Sequence, residues 1–260
     1  MLHTLNGKGY EKPRYYNNYR AIIIIIRKKT MILKGLQKLT LLDFPEKMAC
    51  TVFTYGCNLR CPFCHNASLV LTDRAGEDII DEEDFFSFLE ARRGRLEGVC
   101  VSGGEPTLMP DLDRFLERIK SLGFATKLDT NGCRPDILRN LIDRKLVDYV
   151  AMDIKNSKEK YGMTVGIENF DISPITESVN ILNMAKIPFE FRTTVVRGLH
   201  DKESMEDIGR WIGNVSRYFL QGFIDSGDLI SDGLDGYDKN ELTDLLNVLK
   251  TYIPNAQIRG

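Results

Sequence analysis

The chain has 260 residues, a length at which a single α/β barrel domain is common, and its 43% hydrophobic and 28% charged residues are ordinary for a globular enzyme. A formal net charge of −2 offers no basic field to a phosphate backbone, so nucleic acid is not expected as a partner. The six cysteines (Cys50, Cys57, Cys61, Cys64, Cys100 and Cys133) are too sparse for a disulfide scaffold, and the expected compartment is the cytoplasm.

Residues 1–30 read as a leader. They are rich in Tyr, Asn, Lys and Gly and carry an apolar run from Ala21 to Ile26 before Arg27-Lys28-Lys29. A membrane helix needs roughly 20 apolar residues and a signal core about 7–15, so no membrane partner is expected. The leader is either an added strand or a poorly ordered tail, or else translation starts at Met31, where the globular pattern begins.

From about residue 47 onward, apolar strand candidates at 49–55, 98–102, 125–130, 147–154, 189–196 and 218–224 alternate with helical patterns. The helices are expected at 81–93, 112–122, 135–145, 174–186 and 205–212, and a last one at 239–251 precedes a tail at 253–258. Most begin near Asp, Pro or Ser and end near Gly or Lys. Regular alternation implies parallel strands joined by right-handed crossovers. Six units are fewer than the eight of a closed barrel, so the expected fold is α/β, a partial (β/α)6 barrel with outer helices over 31–260. A doubly wound sheet is the alternative.

Within three strands, residues i and i+2 place charges on one face. Lys127, Asp129 and Asn131 share a side, as do Ala151, Asp153 and Lys155, and Glu190, Arg192 and Thr194. Burying the opposite apolar faces against helices turns these charges towards the barrel mouth, where such folds place their sites. Internal salt bridges without a ligand are the competing reading.

The segment Gly56 to Asn66 contains Cys57-x3-Cys61-x2-Cys64. Thiolates are the ligands that iron–sulfur clusters require, and three of them leave one iron open to a substrate or cofactor. A structural zinc site completed by His65 or Cys50, in a non-catalytic module, remains a remote alternative, although no second ligand pair follows. Cys50, Cys100 and Cys133 read as small buried hydrophobes.

The pairing of this motif with Ser102-Gly103-Gly104-Glu105-Pro106 resembles the radical S-adenosylmethionine (SAM) superfamily. Gly35-Leu36-Gln37-Lys38, Leu128 to Gly132, Tyr149 to Lys155 and Phe191 to Val196 narrow the resemblance to activating proteins of glycyl radical enzymes. The match is best to the long form of the anaerobic ribonucleoside-triphosphate reductase activating proteins, over about 31–259. It implies a [4Fe–4S] cluster on Cys57, Cys61 and Cys64, with SAM chelated to the free iron. By the same resemblance Gly103, Gly104 and Glu105 form the turn at the methionine amino group, and Phe63 contacts adenine. Lys155 and Arg192 suit the carboxylate, while Asp129, Thr130 and Asp153 match positions for the amino group, a cation or the ribose. A flavodoxin- or ferredoxin-like protein would supply one electron, and a 5′-deoxyadenosyl radical would take hydrogen from a glycine on the partner enzyme. Another glycyl radical enzyme or a small molecule is the alternative substrate. Two departures disfavour the formate-lyase branch: no cysteine-bearing insert lies within 66–84, and Leu220-Gln221-Gly222-Phe223 lacks a histidine. Gln221 is the expected replacement.

Overall fold

The computed structural model describes residues 31–71 and 79–259, so the expected leader lies outside the described residues. Eight strands form one sheet in chain order: β1 Leu33–Thr40, β2 Ala49–Thr54, β3 Gly98–Gly103, β4 Ala125–Thr130, β5 Tyr149–Asp153, β6 Phe189–Val195, β7 Tyr218–Gly222 and β8 Gln257–Arg259. Strands β2 to β8 are parallel, and β1 returns antiparallel along β2. Sequential order rules out the doubly wound alternative, whose strand order reverses at a switch point. Among the described residues β1 and β8 each have a single neighbouring strand, so the sheet is open between them.

All six expected strands form. β1 and β8 extend them, because both are edge strands with weak apolar signatures: β1 is half exposed along its middle, and β8 has three residues. The helices among the described residues are α1 Ala67–Val70, α2 Glu82–Glu90, α3 Leu112–Ser121, α4 Pro135–Asp143, α5 Tyr161–Thr164, α6 Ser173–Met184, α7 Lys202–Ile212 and α8 Lys239–Lys250. α7 starts three residues earlier than expected, because the Asp201 side chain accepts from the Ser204 N–H at 2.8 Å and caps it. α8 begins with a capping box between Asp238 and Glu241. None of these helices is long and apolar enough to cross a membrane.

The strand faces divide as their alternation demands. Leu128, Val150, Met152, Ile154 and Phe191 are buried in the apolar layer against the helices. That layer includes the ring trio Phe85, Phe86 and Phe115, with centroids 5.3–5.4 Å apart between α2 and α3. The opposite faces turn Asp129, Asp153 and Arg192 into an interior cavity. At the amino-terminal ends of the strands the loop after β1 inserts Phe44, which packs 6.1 Å from Tyr149 and against Gly98. A methyl group on Gly98 would come within 2.8 Å of the Phe44 ring, so the floor closes only around glycine.

Candidate active site

The cysteine loop leaves the end of β2 at Gly56, whose φ of +88° suits glycine. Backbone bonds pin the loop from three sides. The Gly56 N–H donates to Leu69 O at 2.7 Å, the Arg60 N–H to Val165 O at 2.9 Å, and the Ser231 N–H to Pro62 O at 3.0 Å. The Arg60 guanidinium adds bonds to Cys57 O at 2.7 Å and Leu59 O at 2.8 Å. Cys57, Cys61 and Cys64 thereby border one cavity of about 430 Å³ at the carboxyl ends of the strands. Burial pushes the Cys57 thiol up to about 12 and Cys61 up to about 11, with Lys155 opposing the rise at Cys61. Loading metal onto these sulfurs therefore releases protons.

The glycine turn faces the cysteines. A side chain on Gly104 would place its Cβ 2.0 Å from Gly56 O, and one on Gly103 would lie 2.3 Å from Thr54 N. Both positions exclude any other residue, so bare backbone borders the cavity here. Glu105 closes the turn without presenting a free oxygen. Its buried carboxylate accepts from the Thr107 N–H at 3.0 Å, the Thr130 hydroxyl at 2.8 Å and the Asn131 N–H at 2.6 Å. It borders the cavity but acts as a brace, and it holds Thr130 by the hydroxyl.

A charged ladder climbs the cavity wall. Lys155 Nζ lies 3.0 Å from Asp153 Oδ2, Arg192 Nε 2.9 Å from Asp153 Oδ1, and Arg192 Nη1 3.3 Å from Asp129 Oδ2. The Ser102 hydroxyl donates to Asp129 at 3.1 Å, and Lys127 pairs with the same carboxylate from below. Burial raises the Asp129 carboxyl, but Arg192 and Lys127 outweigh it and hold it at about 2. Burial likewise opposes ionisation of Asp153, and Arg192 and Lys155 outweigh it, so this group is also held low. Lower in the barrel, buried Glu190 accepts from Arg259 at 2.6 and 3.0 Å and from the Tyr149 hydroxyl at 2.7 Å. The salt-bridge reading thus describes Lys127 and Glu190, which are enclosed, whereas Asp153, Lys155 and Arg192 open onto the cavity.

All twelve residues expected at the site border this one cavity. Phe63 is buried there, with its ring 6.3 Å from that of His200 in an edge-to-face contact. His200 was not legible in the sequence. Its Nδ1 accepts from the Val196 N–H at 3.1 Å, so Nε2 carries the proton and donates to Lys155 O at 2.7 Å. Asp43 and Thr194 also reach the cavity, as does Gln221. Asp43 arrives from the loop after the unrecognised β1, its carboxylate fixed by the Thr51 hydroxyl at 2.5 Å. Cys50 and Cys100 are buried core residues, but Cys133 is only partly buried, packed against the core.

The donor set suits a multi-iron group. Among the described residues no three His, Cys, Asp or Glu side chains converge closely enough to hold one ion. A tetrahedral zinc with bonds of about 2.3 Å needs its sulfurs roughly 4 Å apart, whereas a cubane takes each thiolate on a separate iron.

Comparison with known proteins agrees with this geometry. Residues 51–212 match the radical SAM superfamily. A Methanocaldococcus jannaschii protein named for glycyl-radical enzyme activation is 35% identical over 237 residues, covering 88% of this chain and 95% of that protein. The pyruvate formate-lyase-activating enzyme of Listeria monocytogenes is 34% identical over 158 residues, 56% of this chain and 61% of that one. Among solved structures, a radical SAM methyltransferase from Sphaerobacter thermophilus superposes with a TM-score of 0.63 at 16% identity, covering 85% of this chain and 68% of the other. SuiB of Streptococcus suis bound to S-adenosylmethionine gives 0.62 at 17% identity, over 96% of this chain and 57% of that one. At such identities these two share the fold.

Proposed function

From the premise that this chain belongs to the radical SAM superfamily, in its glycyl-radical-enzyme activating branch, we propose that it installs the stored radical of an anaerobic ribonucleoside-triphosphate reductase. The observation that carries the activase reading is the meeting of three cysteines, a side-chain-free glycine turn and the Asp153–Arg192–Lys155 ladder in one cavity. The choice of reductase rests on Gly35 to Lys38, Leu128 to Gly132 and Phe191 to Val196.

The family's cofactors are a [4Fe–4S] cluster and SAM, which together supply one-electron chemistry that abstracts a hydrogen atom. The Cys57, Cys61 and Cys64 thiolates would hold the cluster. Gly103 and Gly104 let backbone carbonyls approach the methionine amino group. Arg192 and Lys155 bind the carboxylate, with Arg192 oriented by two aspartates and Lys155 by one. Asp129, Asp153 and Thr130 complete the polar wall, and Phe63 backs the adenine. Phe44 is buried at the strand starts, away from the cysteine loop. A flavodoxin- or ferredoxin-like protein would supply the electron.

Anaerobic reconstitution with iron and sulfide, followed by reduction with SAM and the candidate reductase, tests the proposal. A glycyl radical signal by electron paramagnetic resonance is the expected result. SAM cleavage without that signal on the reductase would refute the choice of partner. Similarity to pyruvate formate-lyase-activating enzymes makes another glycyl radical enzyme the second reading, and the same assay with that partner separates the two.

A further inference from the structure

Asn131 follows β4 directly, is 5% exposed and borders the cavity. Its carboxamide is held in one orientation. Oδ1 accepts from the Cys133 N–H at 2.9 Å, and Nδ2 therefore faces the cysteine loop, 2.9 Å from Asn58 Oδ1 and 3.7 Å from Cys57 Sγ. Turning the amide over would set oxygen against Asn58 Oδ1 and an NH2 group against the Cys133 N–H, two repulsions at once. One of its N–H bonds is thus committed to Asn58 and the other points at sulfur. The Asn131 backbone N–H donates to Glu105 at 2.6 Å, which joins this amide to the glycine turn.

We propose that Asn131 is a positioning residue that donates a hydrogen bond to the Cys57 thiolate and raises the reduction potential of the cluster. This rests on the reading of Cys57 as a cluster ligand. The added electron increases negative charge on the sulfurs, so a donor dipole aimed at one of them stabilises the reduced form more than the oxidised form. The Leu59 N–H, 3.4 Å from the same sulfur, acts in the same sense, but it is backbone and cannot be removed by substitution of a side chain.

The test is a redox titration of reconstituted protein without SAM, followed by electron paramagnetic resonance, on wild type, Asn131→Ala and Asn131→Asp. Alanine removes the donor. Aspartate keeps an acceptor for the Cys133 N–H and turns a second carboxylate oxygen towards the sulfur. At wild-type iron and sulfide content the midpoint shifts negative in N131A and further negative in N131D. Midpoints that coincide with wild type overturn the assignment. If a variant loads less iron while its apo melting temperature is unchanged, positioning of Cys57 is supported. Loss of both iron and melting temperature makes Asn131 a folding residue only, and also overturns it. Wild-type protein that loads no four-iron cluster refutes the functional reading instead, so the two failures are distinguishable.

Discussion

Arg192 Nε donates to Asp153 Oδ1 at 2.9 Å across paired positions of β6 and β5, while Nη1 of the same guanidinium reaches Asp129 Oδ2 at 3.3 Å on β4. One planar cation therefore spans three neighbouring strands and fixes the Asp129 and Asp153 carboxylates on the cavity wall.

Arg192→Lys is not conservative here, because an ammonium on a flexible stem cannot hold two carboxylates and grip a third. We expect SAM affinity to fall at least tenfold, with roughly 3 kcal/mol lost from stability as buried carboxylates lose their partner. Equilibrium SAM binding and urea unfolding of R192K measure the two effects, and unchanged SAM affinity would count against the ladder as a binding wall.

Asp129 sets an acid limit on the fold. Its carboxyl is held at about 2 in the folded chain against an ordinary value of 3.8. A lowered folded value means the contribution is complete above the ordinary value and is lost as pH falls from 3.8 through about 2. The depression is worth about 2 kcal/mol. Unfolding free energy measured against pH should fall over that window in wild type, and less steeply in Asp129→Asn.

Gly104→Ala forces a Cβ to within 2.0 Å of Gly56 O, a backbone atom at the root of the cysteine loop. The loop or the turn must move. Iron loading on three intact cysteines together with a more than tenfold loss of SAM binding is expected. SAM binding equal to wild type would show that the turn does not approach the cofactor.

Arg259→Ala strips the bidentate partner from Glu190, which is fully buried. A loss of about 2 kcal/mol is expected, since a buried charge left unpaired costs more than the pair contributes. The double variant Arg259→Ala with Glu190→Gln should recover part of it in thermal or urea unfolding; no recovery would place the effect in β8 pairing.

The six inner strands were legible because each has one apolar face and bounded length, and the charged faces of 127–131, 151–155 and 190–194 located the cavity wall. β1 and β8 were not, since an edge strand needs neither alternation nor a long apolar run. The cysteine spacing pointed to an iron–sulfur or zinc site, and the role of the glycine turn came from its resemblance to the radical SAM superfamily. Glu105 does not: its partners Thr107, Thr130 and Asn131 come from two segments, so only the folded chain shows that it braces the turn. His200 escaped, and Asn131, though placed on the inward face, was given no role, for a related reason: neither residue type specifies whether it binds a ligand or orients a neighbour.

Phe44 packs against Tyr149 and Gly98 at the strand starts, while the cysteine loop borders the cavity at the strand ends. Under the proposed function, SAM and the partner's glycine segment would share the cysteine-side end of the cavity, SAM loading first and the segment entering behind it. Such an order predicts that excess partner slows the exchange of bound SAM.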